Sequence, residues 1–107
     1  MKVYNKLVRD KIPQIIESNG KQCSVRVLDD AKNDAALKIK MQEELNEFLE
    51  ATEPGQQMEE LADLLEVVYA FVQNKGVGLE ELERIRQEKY VERGGFQQRI
   101  FLQGVEG

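Results

Sequence analysis

Apolar residues in this chain recur mostly every three to four positions, which is the spacing of one face of an α-helix. The spacing predicts three long helices, over about residues 35–52, 57–74 and 79–93. A shorter first helix is predicted after Asp10, which would cap it, with Pro13 in the opening turn. Prolines and glycines fall between these segments, so we expect four helices separated by short breaks.

Two short segments are candidate β-strands instead. Residues 23–28 mostly alternate apolar and polar side chains, and residues 99–102 form a second candidate strand that is able to pair with them. The predicted fold is therefore all-α, a bundle of about four helices with a small two-stranded β accessory. No repeat, linker or low-complexity stretch divides the sequence, so we expect residues 1–107 to form a single domain.

Composition limits the chemistry that such a bundle can perform. The 107 residues include 20 acidic and 15 basic side chains, a net charge of −5, and no histidine. The lack of histidine excludes Ser-His and Cys-His catalytic pairs and His-ligated zinc or haem, and a single Cys23 excludes an internal disulfide. Carboxylates, lysines, arginines, hydroxyls and an oxygen-bound metal ion remain.

The sequence also carries expectations about location and partners. No segment has the length and hydropathy of a membrane span, and the first residues lack the apolar stretch of a signal peptide. The net negative charge disfavours nucleic acid as a partner. We therefore expect a cytoplasmic protein that binds neither membrane nor nucleic acid.

Four carboxylates lie on helix faces where apolar residues are expected. On the second predicted helix, Glu44 projects into the apolar stripe and Glu47 borders it; on the third, Glu60 falls inside the apolar arc and Asp63 borders it. A short loop joins these helices, so an antiparallel arrangement would let the two pairs face each other. Because burying an isolated charge is very costly, such carboxylates must pair, shift their pKa or bind a cation.

A hard divalent cation would resolve the repulsion between four converging carboxylates. Oxygen-only ligands select magnesium, manganese or calcium, but residues 52–57 are too few and too poor in acids for a calcium loop. Di-iron bundles use histidines that this chain lacks. The residues therefore favour Mg²⁺, with Mn²⁺ as a substitute, and a phosphorylated ligand as its complement.

Three basic residues lie on the leucine side of the predicted fourth helix: Arg86, Lys89 and Arg93. For this helix in isolation two interpretations stay open, because long basic stems also cover apolar surface and pair with neighbouring acids. Beside a metal-binding set of carboxylates, phosphate binding is the better account. The wide apolar arc of the third helix further predicts a homo-oligomer, either a dimer or a tetramer.

Several motifs resemble those of a known family. Residues 40–47 (KMQEELNE), followed by residues 59–63 (EELAD), resemble the paired E-x-x-E and E-x-x-D motifs of MazG-like nucleotide pyrophosphohydrolases, an all-α superfamily. Residues 4–13 (YNKLVRDKIP), and Lys89 with residues 93–96 (RGGF), are similar to its phosphoribosyl-ATP pyrophosphohydrolase-like subgroup. The resemblance covers nearly the whole chain.

This resemblance implies a magnesium-dependent enzyme that hydrolyses a nucleoside triphosphate, standard or non-standard, to a monophosphate and pyrophosphate. It implies that the four carboxylates bind Mg²⁺ and that Lys89 and Arg93 contact the phosphates. Glu47 is the candidate to accept the proton of the attacking water. The candidate metal ligands are Glu44, Glu47, Glu60 and Asp63, and the candidate substrate-binding residues are Lys89, Arg93, Lys40, Arg86, Lys6 and Arg9.

Some alternatives stay open at this point. Lys6 and Arg9 either contact substrate or close the bundle through surface ion pairs. The substrate is either a nucleoside triphosphate, as in a house-cleaning enzyme, or phosphoribosyl-ATP, as in biosynthesis. A non-catalytic helical oligomer that binds nucleotide and metal, or a purely structural oligomerisation domain, would carry many of the same residues.

Overall fold

Two long helices, α2 (Asp30–Glu50) and α3 (Pro54–Asn74), form the centre of the fold. They are preceded by a short helix α1 (Ile12–Ser18) and followed by α4 (Leu79–Arg93), in a computed structural model that describes residues 2–107. The predicted all-α architecture of four helices is confirmed. None of these helices combines the length and the apolar character needed to cross a bilayer.

The start of α2 lies earlier than its apolar pattern predicts. The side chain of Asp29 accepts a hydrogen bond from the backbone N–H of Lys32 at 2.8 Å and so caps the helix. Helix α2 therefore begins at Asp30 rather than near Ala35. The first turns of the helix are polar, and hydrophobic periodicity cannot detect them.

Local chemistry also decides the ends of the other helices. Helix α1 begins at Ile12 with Lys11 at its cap position, so the predicted cap Asp10 lies one residue too far from the first turn, and no side chain caps this helix. Helix α4 ends where Gly94 adopts a φ of 81°, a left-handed conformation that favours glycine.

Helices α2 and α3 form an antiparallel hairpin. At its open end, the Asn33 side-chain amide donates to the Asn74 side-chain oxygen at 3.0 Å, and the Asn74 amide donates to the backbone carbonyl of Asp30 at 3.1 Å. At the turn, the Gln57 amide donates to the carbonyl of Ala51 at 3.2 Å. This register brings the C-terminal turns of α2 opposite the first turns of α3.

Few apolar side chains are buried in this fold. Leu37, Ala51 and Val67 form the buried core of the hairpin. Helix α4 contacts α3, whereas α1 packs against no other helix within residues 2–107. The molecule is therefore elongated, with principal extents of 63 × 35 × 24 Å.

The predicted two-stranded β accessory is absent from the described residues. Neither residues 23–28 nor residues 99–102 form a strand, and Val27 is 98% exposed. Alternation of side chains is one requirement of a strand, but a strand also needs a neighbour for its backbone hydrogen bonds and a surface that covers its apolar face. Neither segment has such a neighbour here.

Candidate metal centre

Three glutamates converge where the two helices of the hairpin face each other. Glu44 and Glu47 come from successive turns of α2, and Glu60 comes from the second turn of α3. Each offers one carboxylate oxygen, and these oxygens all lie within 4.8 Å of one another. Glu44 is buried with 7% of its surface exposed, Glu60 is half-buried and Glu47 is exposed, so the cluster opens from the core to solvent.

Two oxygens of this cluster are buried without a hydrogen-bond partner. They are the Oε2 atoms of Glu44 and Glu60, one from each helix of the hairpin. A buried acceptor without a partner is destabilising, and most such atoms in folded proteins are satisfied by protein groups, water or an ion. These oxygens are available as ligands, and an all-carboxylate donor set fits a hard divalent cation.

The electrostatic environment of Glu44 also favours a bound cation. Burial is the main cause that raises the pKa of the Glu44 carboxyl above its ordinary value, and its hydrogen bond with Glu47 and the negative charges of Glu47 and Asp63 raise it further. Lys40, whose Nζ lies 3.5 Å from Glu44 Oε1, opposes this shift. One lysine does not balance the cluster, so the site favours additional positive charge.

Asp63, the fourth predicted ligand, lies at the edge of the cluster rather than within it. Its Oδ1 accepts a hydrogen bond from Nη2 of Arg9 at 2.7 Å. Of the two roles considered for Arg9, the structure contains the surface ion pair, and it places that pair beside the carboxylate cluster. Sequence spacing could not have found this contact, because 54 positions separate the two residues.

Lys40 is the basic candidate that contacts the glutamates directly. Its Nζ lies 3.3 Å from Glu43 Oε2 and 3.5 Å from Glu44 Oε1, and its side chain is largely buried. Glu43 faces away from the apolar stripe by periodicity, yet Lys40 links it to the cluster. The spacing of three and four residues from Lys40 to these two glutamates is the sequence signal that could have indicated the link.

The remaining basic candidates lie apart from the glutamates. Arg86 pairs with Glu83 of its own helix at 2.5 Å, and the Lys6 Nζ lies 5.8 Å from the centre of the Tyr4 ring. Lys89 and Arg93 are exposed on α4, and no ion pair within residues 2–107 joins either of them to the cluster. The hairpin thus brings together Glu44, Glu47, Glu60 and Lys40, with Asp63 and Arg9 at the edge.

Each helix of the hairpin presents a buried carboxylate oxygen without a hydrogen-bond partner. The fold and site therefore define a class of protein, the all-α proteins with an oxygen-ligand site that could bind a divalent cation. The chain belongs to the phosphoribosyl-ATP pyrophosphohydrolase family, whose model matches residues 25–89. This match confirms the predicted membership of the MazG-like all-α pyrophosphohydrolases, a family that typically uses a divalent metal. Comparisons with curated proteins and with solved structures returned no match.

The matched range divides the candidate residues. It includes the four carboxylates, Lys40, Arg86 and Lys89. It begins after the N-terminal segment that carries Lys6 and Arg9, and it ends before Arg93. The Arg9–Asp63 ion pair therefore joins a segment outside the matched range to a candidate ligand within it.

Proposed function

We propose that this protein is a magnesium-dependent pyrophosphohydrolase that hydrolyses a nucleoside triphosphate, standard or non-standard, to a monophosphate and pyrophosphate. The observation that carries the proposal is the pair of buried, unpartnered oxygens on Glu44 and Glu60, two residues whose carboxylates converge from the two helices of the hairpin. The family match supports hydrolysis of a pyrophosphate linkage.

The proposed metal ligands are Glu44, Glu60 and Glu47, completed by Asp63 once that carboxylate leaves its ion pair. Mg²⁺ suits an all-carboxylate site that also receives phosphate oxygens, and Mn²⁺ would substitute for it. When bound, the cation supplies charge that neutralises phosphate oxygens and lowers the pKa of water.

Glu47 is the proposed general base. It is the exposed member of the cluster, so its carboxylate is the one that an incoming water reaches first. A carboxylate within hydrogen-bond reach of that water would accept its proton as the water attacks phosphorus and pyrophosphate leaves.

Basic side chains would bind the charge of the substrate phosphates. Lys40 already lies against Glu44, so it is the proposed contact nearest to the metal ligands. Lys89, Arg93 and Arg86 would contribute when α4 of the same or a neighbouring chain approaches the hairpin. Each positive group that meets the leaving pyrophosphate stabilises the charge that develops there.

Phosphoribosyl-ATP is the second candidate substrate, and the family match fits it as well. Hydrolysis of its triphosphate would also release pyrophosphate and leave a monophosphate. The two candidates therefore share the metal ligands and the base, and they differ in the groups that bind the rest of the nucleotide.

The test is pyrophosphate release from a panel of standard and non-standard nucleoside triphosphates and phosphoribosyl-ATP, with Mg²⁺, Mn²⁺ or EDTA. We expect metal-dependent release from at least one substrate, and a loss of about a hundredfold or more in kcat/KM for Glu44→Gln. Glu66→Gln, an exposed glutamate of α3, is the matched control and should retain activity. Full activity in Glu44→Gln would reject the assigned site, and no release from any substrate would reject the reaction.

A further inference from the structure

An ion pair between Arg9 and Asp63 joins the N-terminal segment to the edge of the candidate metal centre. Arg9 Nη2 lies 2.7 Å from Asp63 Oδ1, and residues 2–11 contain no helix or strand. Leu7 is the half-buried side chain of residues 2–10, and the other side chains of that segment are exposed. Little else described in this segment therefore holds Arg9 against α3.

The Arg9–Asp63 ion pair can give way to other partners of either residue. The side chains of Arg9 and Asp63 are 58% and 44% exposed, and ion pairs between solvent-exposed side chains contribute little net stability. A competing cation at Asp63 or a competing anion at Arg9 would therefore separate them at small cost in free energy.

Asp63 is electrostatically part of the cluster even though Arg9 holds its carboxylate at the edge. Its negative charge contributes to the raised pKa of Glu44. A cation bound by the three glutamates would attract Asp63 for the same reason, and that attraction opposes the pair with Arg9. Arg9 thus supplies positive charge at the position where the site favours it.

We propose that Arg9 and a divalent cation compete for Asp63, and that Arg9, once released, binds a phosphate oxygen of the substrate. This inference rests on the proposed function. It adds that the cation binds first and displaces Arg9 from Asp63, and that Arg9 then binds the phosphate. The planar guanidinium fork suits two-point contact with phosphate as well as with carboxylate. Arg9 lies outside the range that the family model matches, so the match itself assigns it no role.

The variant Arg9→Ala distinguishes this role from a structural one. If the proposal is correct, the variant should bind Mg²⁺ more tightly and pyrophosphate more weakly than the wild type. Titration calorimetry with Mg²⁺ alone should show about two- to fivefold tighter binding in the variant, since the competitor for Asp63 is gone. Titration with inorganic pyrophosphate at saturating Mg²⁺ should show about tenfold weaker binding, since a phosphate contact is lost. A residue that only tethers the segment would change both constants in the same direction or neither.

Two further variants complete the experiment. Arg26→Ala removes an arginine from the exposed segment before α2 and should leave both constants unchanged. Arg9→Lys keeps the charge but not the fork, so it should bind Mg²⁺ like the wild type and pyrophosphate more weakly than the wild type.

The outcomes distinguish this inference from the proposed function. Wild-type protein that binds no Mg²⁺ overturns the metal site, and the inference falls with it. If the wild type binds Mg²⁺ and pyrophosphate and Arg9→Ala binds both with the same constants, the inference about Arg9 is overturned but the proposed metal site is not. Weaker Mg²⁺ binding in Arg9→Ala would also overturn it, because competition requires the opposite sign.

Discussion

At Glu44 a carboxylate occupies a position that the helix pattern assigns to the core. Burial and the neighbouring negative charges hold its pKa above the ordinary value, so keeping it ionised at neutral pH opposes folding in the absence of a cation. Packing does not require glutamate at this position, because a neutral side chain of similar size would fill the same space without the charge; the proposed role as a metal ligand does require it.

Glu44→Gln should therefore abolish stabilisation by metal. At a Mg²⁺ concentration a hundredfold above its Kd, we expect the free energy of unfolding of the wild type to rise by about 2.7 kcal/mol. We expect no such rise in the variant. Without metal, the variant should be at least as stable as the wild type at pH 7, because a buried charge has been removed. Thermal unfolding with Mg²⁺ or EDTA measures both effects, and equal Mg²⁺ stabilisation of the two proteins would contradict the ligand assignment.

Asp34 presents the opposite case, a carboxylate with partners. Its ion pair with Lys75, whose Nζ lies 2.5 Å from Oδ1, is the main cause that lowers the pKa of Asp34, and Lys38 at 3.3 Å from Oδ2 lowers it further. A lowered pKa means that the unfolded chain binds the proton more tightly than the folded protein does. The stabilisation is therefore present above the ordinary pKa and is lost as pH falls through the lowered one.

Asp34→Asn should reduce stability at pH 7, and its difference from the wild type should vanish in acid. Urea unfolding at a series of pH values measures that difference. Asp10→Asn, at an exposed position in the turn before α1, is the control and should differ little from the wild type at any pH. A penalty for Asp34→Asn that persists unchanged into acid would show that the ion pairs are not its cause.

Among the helices, α2 shows how the contacts of side chains decide which of several suitable residues caps a helix. Residues 29–34 contain several cap candidates, including Asp29, Asn33 and Asp34. The side chain of Asn33 is bound to Asn74 and that of Asp34 to two lysines, whereas Asp29 accepts the hydrogen bond from Lys32. Asn33 and Asp34 thus make contacts between elements instead of capping α2, and Asp29 caps the helix.

Asp29→Ala should lower the free energy of unfolding by about 1 kcal/mol, the usual effect of losing an N-cap side chain. Denaturant unfolding monitored by circular dichroism measures the change. Lys32→Ala keeps the backbone N–H that Asp29 binds, so that variant should remain close to the wild type. Equal losses in the two variants would argue against the cap.

At the scale of the whole molecule, a single chain exposes more surface than a compact protein of its size. Its radius of gyration is 18.4 Å, against about 13 Å expected for a compact domain of this length. Its accessible surface is 9678 Å², against roughly 6,100 Å² for a folded monomer of this mass. The excess per chain is larger than the area that one partner usually contributes to an obligate interface.

We propose that a second copy of the chain covers part of this surface. Apolar residues of α3 stay exposed on the face away from the core, among them Met58 at 60%, with Leu61 and Leu65 one and two turns along the helix. A continuous apolar face on a helix at the centre of the fold is typical of an interface between subunits.

Light scattering after size-exclusion chromatography should therefore give at least twice the 12.3 kDa mass of one chain. Leu65→Glu puts a charge on the apolar face and should shift the protein towards the monomer. Glu66→Lys changes charge at the next position, on the polar side of α3, and should keep the wild-type mass. A monomeric wild type would contradict the proposed oligomer.

The amino-acid sequence by itself determined the four helices and the candidate carboxylates of the hairpin. Both follow from helical periodicity, which acts within a few residues: the same spacing that defines the apolar faces of α2 and α3 shows that Glu44 and Glu60 interrupt them. The short turn between the two helices then makes their antiparallel arrangement the simplest one.

Only the tertiary structure decided which groups accompany those carboxylates. The Arg9–Asp63 pair joins residues 54 positions apart, and the segment of residues 23–28 has a strand pattern but no strand beside it. Lys89 and Arg93 share a helix face with leucines, yet their distance from the cluster depends on how α4 is placed. In each case the contact depends on where a distant part of the chain packs, and local sequence patterns do not encode that packing.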